Sequence, residues 1–393
     1  MDFGFSQEME EMREELRQFL NEEKAKSREQ RLSITEFGPQ LWLKMAQRGW
    51  LGIFAPPQLG GLGRSPLEFA IFLEALHYFG APEMVRTWFD INSYIMATLL
   101  VHGSPELKKR FVTPMCRGEI KSSITWTEPD GGADGGMHTA RAEDKGSYFL
   151  VNGTKIYNES HRCNYTCLVI KTNPHAPRGQ GHSMLIVDLS SPGISMNPLW
   201  MTWGLRRDEV VFEDVRVPKE NLIGEKDKGW DYWHITAQCY EWPILGNTGL
   251  LQRDFEAFIR DIKEMRNHGK LVVQLPTTRA TLAEIALELE MGRSLYYRAW
   301  ASTQGLLPDL TAAAMTKVYT TERLWQRMYG MMLDITGQYG QLMPTPMSIK
   351  WPGVRLGLPL SYEFGPALAV GGMPIEIQKN VIASSRLGLP SFP

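Results

Sequence analysis

Tyr148-Phe149-Leu150-Val151-Asn152-Gly153-Thr154-Lys155-Ile156-Tyr157 is the stretch on which the fold of this 393-residue chain turns. Apolar spacing before it is helical. Within it, β-branched and aromatic residues take over, a strand pattern. The Asn152-Gly153 step reads as a type I′ turn, so two strands of a hairpin are expected here. Cys167-Leu168-Val169-Ile170, Met184-Leu185-Ile186-Val187 and Val210-Val211-Phe212 add short strands between turn residues. A β domain over 121–225 is the expectation.

Outward from that stretch the period is helical on both sides. Ser6 can cap a helix carrying Met9, Met12, Leu16, Phe19 and Leu20 on one face. Ser65-Pro66-Leu67-Glu68 is a capping box with Pro at the first helical position, and Ser104-Pro105-Glu106 opens another helix in the same way. An all-α domain over 1–120 follows. After Gly229 the pattern is helical to near the end, with apolar faces at Leu282, Ile285, Leu289 and Leu295, and at Met315, Val318, Leu324, Met328 and Met332. This predicts a four-helix-type bundle over 226–393 and an α+β chain overall. No G-x-G-x-x-G opens a helix after a strand, which argues against a Rossmann domain.

With 42 Lys and Arg against 44 Asp and Glu, nothing in the charge balance points to nucleic acid. No apolar run is long enough to span a bilayer. The acidic start through Glu8, Glu10 and Glu11 is no signal peptide, and Ser391-Phe392-Pro393 is no peroxisomal address, so a cytoplasmic location is expected. Cys116, Cys163, Cys167 and Cys239 form no C-x-x-C pair and read as reduced thiols without a metal. His77, His102 and His234 read as structural.

Four segments carry a resemblance. They are Trp126-Thr127-Glu128-Pro129-Asp130-Gly131-Gly132-Ala133-Asp134; Val151-Asn152-Gly153-Thr154-Lys155-Ile156-Tyr157; Glu209-Val210-Val211-Phe212-Glu213-Asp214-Val215-Arg216-Val217-Pro218; and Gly371-Gly372-Met373-Pro374-Ile375-Glu376-Ile377-Gln378. In this order they resemble the acyl-CoA dehydrogenase family over essentially the whole chain. The resemblance implies a helical domain, a middle β-barrel or sandwich and a C-terminal bundle, FAD as cofactor and an acyl-CoA substrate. Its reaction is α,β-desaturation: a carboxylate removes the α-proton while the β-hydride passes to the flavin.

In that family the closing motif carries the base, and the aligned residue here is Gly372. One branch carries the carboxylate on a helix after the β domain instead, at a position matched by Glu241 in Cys239-Tyr240-Glu241-Trp242-Pro243; Trp242 stands where that branch has Arg. Gly372 would keep the backbone N–H that faces the thioester oxygen. Arg86 matches an arginine that holds a distal anion in glutaryl-CoA dehydrogenase, and with Tyr240 it is the candidate for substrate binding. The resemblance places the flavin on Trp126, Thr127, Ala133, Tyr157, Glu159 and Gly337. Several of these depart from the family: Ala133 replaces a Ser, Tyr157 and Glu159 replace Trp and Thr, and Pro374 replaces a Thr. The partner-reaching Arg and Phe appear as Met265 and His268, and Asp334 and Gln338 alter the nucleotide loop.

The leading expectation is an FAD-dependent acyl-CoA dehydrogenase with Glu241 as base, working as a homodimer or homotetramer with an electron-transfer partner. The alternatives are a supporting subunit of a heteromeric dehydrogenase and a flavin-independent acyl-CoA lyase or decarboxylase on the same fold.

Overall fold

The computed structural model describes residues 4–177, 179–233, 238–303, 305–345, 347 and 356–390; His234 lies outside them. Five helices open the chain: α1 (Gln7–Glu29), α2 (Ile34–Gln47), α3 (Pro66–Tyr78), α4 (Glu83–His102) and α5 (Pro105–Cys116). Their starts follow from side-chain caps. The Met9 N–H donates to Ser6 Oγ, the Glu68 N–H to Ser65 Oγ and the Leu107 N–H to Ser104 Oγ, which satisfies amides that have no helical acceptor. Ser33 and Glu36 form a second capping box, at α2.

Strands β1 (Ser122–Thr125), β2 (Arg141–Asp144), β3 (Tyr148–Asn158), β4 (Tyr165–Lys171), β5 (His182–Asp188), β6 (Ile194–Trp200), β7 (Arg206–Pro218) and β8 (Leu222–Ile223) follow. They form one sheet in the order β6-β7-β3-β2-β4-β5-β8, with β1 pairing β4 in parallel. The sheet's core is Phe149, Val151, Leu168, Ile170, Leu185, Val187, Val210 and Phe212.

The expected hairpin at Asn152-Gly153 is corrected. β3 is a single strand, and the register against β7 slips between Val151 and Gly153. The glycine is there because a Cβ at 153 would lie 2.3 Å from Ala140 Cβ, and its φ is +137°. Asn152 is spent across the sheet: its amide donates to Asp214 and its Oδ1 accepts the Asp214 N–H. The turn that joins β2 to β3 is at Gly146, φ +87°.

The last third carries α6 (Gly229–Tyr232), α7 (Gln238–Leu245), α8 (Gly249–Ile262), α9 (Pro276–Ala301), α10 (Leu310–Lys317), a π-helical turn at Val318–Leu324, α11 (Trp325–Thr336), α12 (Leu358–Val370) and α13 (Ile375–Leu387). Among the described residues a short hairpin interrupts the helical expectation. β9 (Arg266–Asn267) and β10 (Lys270–Leu271) form a two-residue hairpin whose turn residues His268 and Gly269 both have positive φ. Leu251, Phe255, Phe258, Ile285, Leu289, Leu324, Met328 and Tyr329 fill the bundle core. No helix of the described residues is long and apolar enough to cross a membrane.

Two buried polar groupings fix the loop between β1 and β2. Lys155 Nζ donates to Glu128 Oε1 and to the Trp126 carbonyl, both at 2.8 Å. Glu128 Oε2 accepts the Thr139 and Ala140 amides. His138 Nδ1 of the loop lies 3.2 Å from His182 Nε2 of β5, among Trp126, Trp230 and Trp233. Burial, aided by the Lys155 charge, pushes His138 down to about 4; burial and the His138 neighbour push His182 down to about 3. Both imidazoles are therefore neutral in the fold.

Lys155→Met leaves Glu128 without its cation and is expected to cost about 3–5 kcal/mol, measurable as a lowered urea midpoint. The imidazole pair sets an acid limit. Above pH ~6.5 both rings are neutral whether folded or not; below it only the unfolded chain takes up the protons. Stability should fall from pH ~6.5 towards pH 4, and His138→Asn should flatten that slope in denaturation series across the range.

Candidate functional site

Gly246 lets α7 and α10 come together: a Cβ at 246 would lie 2.3 Å from Thr316 Cγ2. Thr316 Oγ1 is held by the Leu295 and Ala312 carbonyls, and Thr320 Oγ1 donates to the Gly246 carbonyl. This close approach puts Glu241 of α7 next to Lys317, the last residue of α10. Directly after Lys317 the helix widens into the π-turn, a feature that recurs at functional sites.

The third party is the loop between α12 and α13. Gly372 and Met373 both take left-handed backbone, φ +64° and +74°. Six hydrogen bonds from side chains hold their carbonyls and that of Gly371, the longest from Gln378 Nε2 to the Gly372 carbonyl at 3.3 Å. Lys317 Nζ donates to the Gly371, Gly372 and Met373 carbonyls at 2.5, 2.9 and 2.5 Å. Trp242 Nε1 donates to the Gly372 carbonyl at 2.8 Å, and Gln378 Nε2 to that of Met373 at 3.0 Å. Trp242 is wholly buried against Ala313 and Ala314. Where the relocated-base branch has Arg, it anchors this loop.

Gly372 and Glu241 meet. A Cβ built on Gly372 would sit 2.9 Å from Glu241 Cδ, 3.0 Å from its Oε1 and 2.7 Å from Leu245 Cδ1. The Glu241 carboxyl thus fills the space a side chain at 372 would need. Its Oε2 is buried with no hydrogen-bond partner. Burial raises its pKa to about 7, with the Lys317 charge pulling the other way.

Tyr240 points elsewhere. Its ring lies in the aromatic core with Phe54, Phe69 and Trp300, and its buried hydroxyl has no partner. Arg86 is half-buried on α4 with its Nε unpartnered. Burial lowers its pKa; the charges acting on it are Arg253, Asp90, Glu83 and Asp254.

On the β domain, Thr127 is half-buried and its carbonyl accepts the Ile156 N–H. The next residue, Tyr157, is in left-handed backbone with 57% of its surface exposed. Trp126 turns inward: it stacks on Trp233 and donates to the Gly132 carbonyl. Ala133 lies half-buried on the same loop. Gly337, φ +59°, is exposed at the end of α11. Glu159 is buried and ion-paired with Arg207, while Ser160 Oγ and Ser123 Oγ share a hydrogen bond. Burial raises Glu159 to about 7 against the pull of Arg207. Arg207 and Lys317 were not found from sequence, because neither sits in a motif and each is identified only by the partner it meets in space.

Thr127 and the bare Tyr157 ring give a planar cofactor a face to cover. The Glu159 carboxylate, whose charge would oppose a reduced, anionic flavin, is held by the Arg207 guanidinium. At this ring-facing end the residues fit a flavin.

Three comparisons bear on this arrangement. The acyl-CoA dehydrogenase N-terminal domain matches residues 6–119, the middle domain 123–215 and the C-terminal domain 241–384. "Acyl-CoA dehydrogenase FadE29" of Mycobacterium tuberculosis is 29% identical over 89% of this chain and 88% of its own. Glutaryl-CoA dehydrogenase of Desulfococcus multivorans is 25% identical over 99% of both chains. The crystal structure of the ChsE4-ChsE5 complex of Mycobacterium tuberculosis superposes with a TM-score of 0.87 at 25% identity, covering 99% of this chain and 100% of that one.

A Gly372→Ala protein tests the contact. The left-handed backbone alone costs about 1–2 kcal/mol, and the crowding of Glu241 adds to it. A lowered urea midpoint is expected; a variant as stable as the parent would contradict the placement of Glu241.

Proposed function

Because the chain belongs to the acyl-CoA dehydrogenase family through all three of its domains, it is an acyl-CoA oxidoreductase, and we propose that Glu241 is the base that removes the substrate's α-proton. The observation that carries this reading is the Glu241 carboxyl lying where a side chain at Gly372 would begin, 2.9 Å from a Cβ built there, at the position that aligns with the family's base. The carboxylate reaches that space from a different helix.

Glu241 Oε2, free of any hydrogen bond, takes the proton. A carboxyl raised to about 7 is matched to proton transfer near neutrality. Below that pH it is protonated and cannot act as base, so the rate is expected to fall on the acid side of pH ~7. Loss of the α-proton builds negative charge on the thioester oxygen, which fixed N–H donors stabilise. The Gly372 N–H has no acceptor among the described residues and is free for that role.

Family members bind FAD, which when bound supplies the acceptor for the β-hydride. Thr127 and Tyr157 would hold its ring, with Glu159 kept from it by Arg207. The lyase alternative rested on Gly372 together with Arg86; the acyl-CoA dehydrogenase domains and the Glu241 carboxyl beside Gly372 support desaturation instead. We infer further that the chain acts as an oligomer. Leu287 and Met291 leave an exposed apolar strip on α9, and relatives of this fold are found in complexes of unlike chains, such as ChsE4-ChsE5. Mass photometry of the pure chain distinguishes homo-oligomer from a subunit awaiting a partner.

Glu241→Gln keeps the shape and removes the base. Desaturation and α-proton exchange into D2O should fall at least about a hundredfold, with an unchanged circular dichroism spectrum. A Glu241→Gln enzyme that still turns over refutes the assignment.

A further inference from the structure

Lys317 does more than fill the core. Its side chain is fully buried. It spends three hydrogen bonds on three successive carbonyls, those of Gly371, Gly372 and Met373. Three carbonyls within hydrogen-bond reach match the three N–H groups of an ammonium, where a neutral amine has two. Burial pulls the group down from its ordinary range to about 7, and the Glu241 charge acts the other way.

Two consequences follow from the geometry. The first is orientation. In a trans peptide the N–H points opposite to the carbonyl of the same unit. The Gly371 and Gly372 carbonyls point at Lys317, so the Gly372 and Met373 amides point away from it. Neither amide has an acceptor among the described residues. Two adjacent donors are thus held outward by one cation, beside the carboxyl of Glu241. The second is charge. Among the described residues Lys317 is the charged group acting on Glu241, while Tyr94 of α4 is the further titratable group within range. Trp242 and Gln378, which share the carbonyls, are neutral.

We propose that Lys317 is a positioning residue for α-proton removal: it aims the Gly372 and Met373 amides at the thioester oxygen and keeps the Glu241 carboxyl ionisable in a buried place. The proposal rests on the reading of Glu241 as base.

The test is Lys317→Gln, which keeps a neutral donor, alongside Lys317→Arg, which keeps the charge. The Glu241 carboxyl is followed through pH by infrared difference spectroscopy, its band identified as the one lost in Glu241→Gln. The polarisation of the thioester carbonyl is followed in bound cinnamoyl-CoA. In Lys317→Gln the carboxyl should titrate about a unit or more higher, so that kcat/KM at pH 7 falls on the order of tenfold, and the cinnamoyl-CoA carbonyl shift should shrink. Lys317→Arg should titrate close to the parent. Should Lys317→Gln not fold, the reciprocal measurement serves: Glu241→Gln should lower the Lys317 titration, followed by 13C NMR of the lysine side chain. Unchanged Glu241 titration and carbonyl shift in a folded Lys317→Gln protein, or an unmoved Lys317 in Glu241→Gln, would overturn the proposal. An active Glu241→Gln enzyme would instead sink the base assignment while leaving the charge coupling intact.

Discussion

A side chain at 372 and the carboxyl of Glu241 cannot occupy the same volume, and the architecture around the site is arranged about that exclusion. Gly372 supplies the space and accepts a backbone conformation other residues resist. Gly246 permits the α7–α10 approach that brings Glu241 and Lys317 into range. Trp242, Lys317 and Gln378 then grip the loop by its carbonyls. A loop with two consecutive left-handed residues, one of them Met373, would be strained and mobile if left to itself. Here it is held on one side by three donors, which leaves its amides free on the other.

The β domain solves a similar problem in its own way. The loop between β1 and β2 has few apolar residues of its own, and buried polar partners fix it. The Glu128–Lys155 pair takes up two of its amides and one of its carbonyls. The His138–His182 imidazole pair and the Trp126–Trp233 stack tie it to its neighbours. A buried ion pair is rarely a large net gain in stability, but losing one partner is costly. The pair's value here is in the shape it imposes on residues 126–140. Glu159 follows the same logic: a carboxylate in a place where it would be unwelcome is matched by Arg207.

How much of this was legible in the sequence depended on the range of each signal. The Ser65–Glu68 box and the Ser104 cap are decided within four residues, and the chain spells them out. The likeness of four segments carried the three-part architecture. The pairing of an emptied 372 with a glutamate at 241 could be read because both positions lie in motifs. Asn152-Gly153 misled because the dipeptide is a local turn signal, whereas the demand for glycine comes from Ala140 on the neighbouring segment. The β9–β10 hairpin was missed for the opposite reason, being too short to show a period. Lys317 meets its carbonyls 54 to 56 positions away. A lysine in a helix reads as solvated surface until its partners are known.

The mutual exclusion at 241 and 372 also constrains how such a site can change over generations. The first atom of a side chain at 372 would press on the last atoms of Glu241. Moving the carboxylate from one helix to the other therefore takes two matched changes, an emptied 372 and a glutamate at 241. Moving it back takes both again, so the two positions vary as one unit.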